Sequence, residues 1–120
     1  AAADDSLAML ASADAGKGAK LFGKCKACHT TENGGKNKVG PNLWDVVGRA
    51  KASGAGFAYS GALKEKGGEW SFADLDAFLA KPKGFVPGTK MAFAGLKKPA
   101  QRAAMLAFLR SLSDSPKALP

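Results

Sequence analysis

Cys25-Lys26-Ala27-Cys28-His29 is the stretch on which the reading of this chain turns. A Cys-x-x-Cys-His run is the attachment signature of a c-type haem, in which two thiols add across the vinyl groups and the next side chain becomes an iron ligand. The spacing has a physical reason. In a short helical turn, three residues of separation put both thiols on one side of the backbone. The histidine follows directly, so its ring can sit under the iron. The chain holds 2 cysteines and 1 histidine, all in this run, and none is left over for a competing site.

Other uses of the cysteines fit less well. A thioredoxin-like redox pair wants a preceding strand and a βαβ context, whereas residues 15–24 are rich in Gly, Ala and Lys and read as helix. A zinc site takes about four Cys or His ligands, and the three here are adjacent. A structural disulfide across two intervening residues is strained. Covalent haem is the reading, with a redox dithiol as the remaining alternative.

At 120 residues the chain is one domain, small for a core of side chains alone, a limitation that a large apolar cofactor relieves. No apolar run approaches the length of a membrane span. Ala1-Ala2-Ala3 has the small-residue character of a signal-peptidase site, so the expectation is a processed mature chain, periplasmic and either free or tethered to the outer face of the inner membrane through a preceding segment. The net charge is +8 and the pI about 9.7. The lysines are scattered among Gly and Ala with no nucleic-acid motif, so a solvated basic surface competes with docking on an acidic protein. With haem accepted, an acidic redox partner is the better reading, and the protein is expected to be a monomer that binds no nucleic acid.

Residues 1–13 read as a loosely attached leader or linker, 14–113 as the domain and 114–120 as a flexible tail. Asp14 is a candidate N-cap for a helix over residues 15–24. Residues 30–40 and 49–59 read as loop, with short helices at 43–47 and 61–66. Ser71, three residues before Asp74, resembles a capping box. Phe72, Leu75, Phe78 and Leu79 recur at helical spacing until Pro82 stops the run. Pro99 suits the first position of a last helix whose apolar stripe includes Ala103, Met105, Leu106, Phe108 and Leu109. The fold class is all-α with long loops, which wrapping around a haem explains.

A sixth iron ligand must come from a residue type other than histidine. Met105 lies on the apolar face of the last helix and Met9 in the leader. Met91, in Pro87-Gly88-Thr89-Lys90-Met91, sits in a loop without helical period, so elimination points to Met91. A His/Met set suits electron transfer, and the soft thioether raises the potential.

These blocks carry a resemblance. The chain resembles a class I cytochrome c over residues 14–113, on Cys25 to His29, on Pro87 to Gly95, and on Gly40-Pro41-Asn42-Leu43, Gly48-Arg49, Gly56-Phe57-Ala58-Tyr59 and Trp70 between them. It is most similar to membrane-tethered alphaproteobacterial cytochromes c552 and to the mitochondrial type. The resemblance implies that Met91 is the axial thioether and that the Pro41 carbonyl fixes His29. It implies that Arg49, Tyr59, Trp70 and Thr89 hydrogen-bond the haem propionates, and that Gly18 and Phe22 pack on Met105 and Phe108. It places Lys24, Lys83, Lys90, Lys97 and Lys98 around the exposed haem edge. Two positions depart from mitochondrial members: Leu63 stands where they carry asparagine and Phe78 where they carry tyrosine, which implies a drier site.

The expected activity is one-electron transfer between a quinol-oxidising cytochrome complex and a terminal oxidase, not enzyme chemistry. A haem peroxidase or a sulfur-compound oxidase needs an open iron position and acid–base residues, and the chain has no second histidine. A five-coordinate gas sensor carries its haem motif near the C-terminus; here the motif lies near the start.

Overall fold

Asp14 Oδ1 accepts from Gly16 N at 2.8 Å and starts a helix at the predicted place. The computed structural model describes residues 2–54 and 56–120. Its helices are α1 (Ala2–Met9), α2 (Ala15–Leu21), α3 (Gly61–Lys66), α4 (Phe72–Ala80), α5 (Pro82–Phe85) and α6 (Pro99–Ser111). α2 is shorter than the expected 15–24 because Phe22–Lys24 tightens to a 3₁₀ turn. There Cys25 N bonds to Phe22 O at 2.7 Å, so the helix ends as the haem-attachment run begins.

Further caps fall where the sequence puts them. Ser71 Oγ accepts from Asp74 N at 3.1 Å and opens α4. Pro99 occupies the first turn of α6, where its missing N–H costs nothing. Pro82 ends α4 as expected and also opens the one-turn α5.

α2 and α6 pack more extensively than any other helix pair among the described residues. Gly18 is the reason they approach so closely: a Cβ there would collide with the Ala104 carbonyl and stand 2.8 Å from Phe108 Cβ. One turn on, the Phe22 and Phe108 rings meet at 5.2 Å. Met105, also expected at this crossing, is 2% exposed and belongs to the same core cluster as Phe22, Leu75, Leu79, Leu106 and Leu109.

Two segments differ from expectation. Residues 43–47 form turns, with Val46 N bonded to Leu43 O and Arg49 N to Val46 O, both at 3.1 Å; Asp45 at φ 59° interrupts any right-handed helix. The segment read as a loose leader holds α1 and a 3₁₀ turn, Leu10–Ser12. α1 lies against α4 and α6, with Leu10 3% and Ser6 0% exposed. Leu7 and Leu10, one turn apart, supply the apolar contact with the core. After α6 the chain bends through residues 112–115, with Leu112 buried and residues 114–120 exposed. There Ser113 Oγ donates to Asp45 Oδ1 at 2.8 Å and Arg110 Nε to Lys117 O at 2.6 Å.

Among the described residues the β structure is one isolated antiparallel bridge, Ala50 to Glu69. Around it Trp70 N donates to Arg49 O and Gly48 N to Trp70 O, each at 2.8 Å. This short ribbon sets Arg49 and Trp70 side by side, though they are far apart in sequence.

Candidate functional site

Cys25 and Cys28 sit in the turn after α2, half-buried and unbridged. Cys28 N and His29 N both bond to Cys25 O, at 3.0 and 2.9 Å, which gives the run its helical turn. Burial pushes the Cys25 thiol above its ordinary range; Cys28 adds to this and Lys24 opposes it. Among the described residues no three His, Cys, Asp or Glu side chains gather as a metal site.

His29 is held from two sides. Its Nδ1 lies 2.7 Å from Pro41 O. A carbonyl only accepts, so Nδ1 carries the proton and Nε2 keeps the lone pair a metal needs. Gly40 is pressed against the ring so closely that a Cβ would collide with Cε1. Gly40 N in turn bonds to Cys28 O at 2.7 Å. Burial is the main cause that pushes the imidazole pKa down; the Pro41 bond opposes it and the nearby Arg49 charge adds to it.

Asn42, which the sequence offers only as the residue after Pro41, knits this support together. Its side chain donates to Thr30 Oγ1 and Glu32 O at 2.8 and 3.0 Å and accepts from Trp44 N at 3.0 Å. Its backbone N–H donates to Asn37 Oδ1 at 2.9 Å.

Arg49 Nη1 donates to Asn42 O at 3.1 Å and Trp44 O at 3.2 Å, while its Nε is buried without a partner. Burial lowers the guanidinium pKa; Tyr59 and then Asp45 act the other way. Tyr59 OH accepts from Gly54 N at 2.9 Å, leaving its own hydrogen to give. An orphaned, buried cationic N–H beside a phenol fits a ligand that brings a carboxylate. The free thiols, the oriented imidazole and the Gly40 cradle fit a haem.

Met91 is half-buried, and its N–H donates to Thr89 Oγ1 at 3.2 Å, so Thr89 here shapes the methionine loop. Lys90 Nζ reaches Ala58 O at 3.1 Å, and Leu96 N bonds to Leu79 O at 2.7 Å. Both ends of that loop are thereby fastened. Phe78 packs on Trp70 at 5.2 Å and Phe85 at 6.5 Å, and Leu63 lies against the same core. Lys24, Lys83, Lys90, Lys97 and Lys98 are all exposed.

Fold and site together define a small all-α protein shaped around one c-type haem. The cytochrome c family profile matches residues 15–113, and the chain belongs to the cytochrome c family. It is 55% identical over 113 residues to a cytochrome c homolog of Bradyrhizobium diazoefficiens, covering 93% of this chain and 61% of that one. It is 47% identical over 103 residues to a cytochrome c homolog of Rickettsia felis, covering 86% and 59%. The chain thus spans about three fifths of the length of these relatives. Among solved structures it matches cytochrome cH from Methylobacterium extorquens with TM-score 0.77 and 47% identity, over 82% of this chain and 98% of that one. The fold is that of a class I cytochrome c, and the cofactor is haem c, attached through Cys25 and Cys28.

Proposed function

We propose that this chain is a one-electron carrier with His29 and Met91 as the axial ligands of its haem iron. Bound haem supplies one reversible electron step between ferric and ferrous iron. The observation that carries the reading is the 2.7 Å bond from His29 Nδ1 to Pro41 O. It fixes the ring's tautomer and orientation and makes Nε2 a better donor. Met91 completes the set by elimination and by its place in a loop fastened at both ends. Arg49, Tyr59 and Trp70 serve as donors to the haem propionates in this reading, which the buried, unpartnered Arg49 Nε supports, and Thr89 contributes through the loop. The five exposed lysines form a basic face that steers acidic partners at modest affinity. We take these to be a quinol-oxidising cytochrome complex and a terminal oxidase at the periplasmic side of the inner membrane. A shuttle must leave as readily as it arrives, so steering serves it better than tight binding.

The test is optical. The ferric protein should show the weak long-wavelength band of iron–thioether ligation. Met91→Ala should abolish it, and Met105→Leu, a volume-conserving core swap worth under about 1.5 kcal/mol, should keep it. Loss of the band in Met105→Leu, or a high-spin ferric spectrum in the unaltered protein, would overturn the ligand assignment.

A further inference from the structure

Lysine is almost never fully buried unless paired, yet the Lys51 side chain is 2% exposed. Its ammonium donates to Gly67 O at 3.0 Å, Glu69 O at 2.9 Å and Asp74 Oδ2 at 2.6 Å, which uses all three of its protons. It also stands 5.0 Å from the centroid of the Trp70 ring, within cation–π range. The backbone repeats the attachment, with Lys51 N bonded to Gly68 O at 2.8 Å. Lys51 therefore closes the ribbon that sets Trp70 beside Arg49, and it places a full positive charge against the indole.

The ion pair is lopsided. The Asp74 side chain is 38% exposed, so water screens the carboxylate, while the ammonium acts through the poorly polarisable interior. Seen from Trp70, the two charges do not cancel. A net positive field remains on the inner side.

We propose that Lys51 is a positioning residue for Trp70 that also biases the haem iron toward its ferrous state. The proposal rests on the reading that Trp70 contacts the haem. Iron gains one positive charge on oxidation, so a fixed cation nearby disfavours the ferric form. Asp74, at the wet end of the pair, tempers that bias from outside.

The experiment is voltammetry of three holoprotein variants, with near-ultraviolet circular dichroism to follow the tryptophan environment. Lys51→Met keeps the apolar stem and removes the charge, and should shift the potential down. Asp74→Asn removes the tempering anion and leaves the ammonium, and should shift it up. Opposite signs support the proposal. A purely mechanical brace is loosened by either change, so shifts of the same sign, or none, overturn it. Trp70→Phe separates the two layers. If it leaves the potential and the haem spectrum unchanged, the haem-contact reading fails, and this proposal with it. If it shifts them while the other two variants do not move oppositely, only the Lys51 proposal fails. Should Lys51→Met not accumulate with haem, Asp74→Asn decides alone: a raised potential supports the proposal, and an unchanged or lowered one overturns it.

Discussion

Arg102 Nε and Asp76 Oδ1 meet at 2.8 Å in the interior, each side chain 1% exposed. Arg102 Nη1 also donates to Leu96 O at 2.7 Å and Lys97 O at 3.0 Å. One guanidinium thus ties α6 to α4 and to the chain that returns from Met91. Removing one member of such a pair leaves the other charged, buried and uncompensated, which costs about 3–5 kcal/mol. Asp76→Ala should lose that much stability in denaturant titrations. A loss under about 1 kcal/mol would mean that water reaches the guanidinium in the variant.

At the crossing of α2 and α6 the expectation is steric. Gly18→Val asks for volume where the Ala104 carbonyl already stands, and overpacking of this kind costs about 1–3 kcal/mol or somewhat more. Gly23→Ala, where a Cβ meets nothing within 4 Å, is the control and should be nearly silent. Equal melting temperatures for the two variants would contradict the close approach.

Acid should weaken the fold through His29. Burial first, and Arg49 after it, hold the imidazole pKa below its ordinary value. The unfolded chain takes up a proton near about pH 6.5, which the folded ring refuses. Stability is therefore whole above that value, falls as the pH drops through it, and levels only below the depressed folded value. Iron held at Nε2, as proposed above, would act in the same direction. Denaturant midpoints at a series of pH values from about 7.5 to 5 should decline; a flat profile would show that His29 binds as many protons folded as unfolded.

Docking should respond to salt. Electron transfer with an acidic oxidase domain should slow as ionic strength rises, because the Debye length shrinks to about 8 Å at physiological salt. Reversing Lys24 and Lys83 to glutamate should lower the association rate and leave the optical spectrum unchanged. A rate indifferent to both changes would favour apolar docking instead.

The haem-attachment run, the caps at Asp14 and Ser71, the first turn at Pro99 and the apolar stripe of α6 were all legible in the sequence. Each depends on residues within about a turn of one another, so spacing carries the information. The turns at residues 43–47 were not, because the positive φ of Asp45 leaves no mark in an apolar pattern. The buried charges were invisible for another reason. Nothing in the sequence marks Lys51 or Arg102 apart from other basic residues, and their carboxylates, Asp74 and Asp76, lie on α4, distant from them in sequence. The same holds for Arg49 and Trp70, adjacent only through the Ala50–Glu69 ribbon. Asp76 offered the one local hint, an acid within the apolar run of α4.

The pairing of α2 with α6 also fixes an order of events. α2 has 7 residues, too few to persist as a helix on its own in water, and its chief partner, α6, follows it far along the chain. Without α6, the segment that carries Cys25 and Cys28 lacks its chief packing partner. In a chain whose α6 has not yet docked, both thiols should be more accessible than in the folded protein, where they are half-buried. A chain cut short before Pro99 should keep Cys25, Cys28 and His29 yet lack the helix that packs over α2.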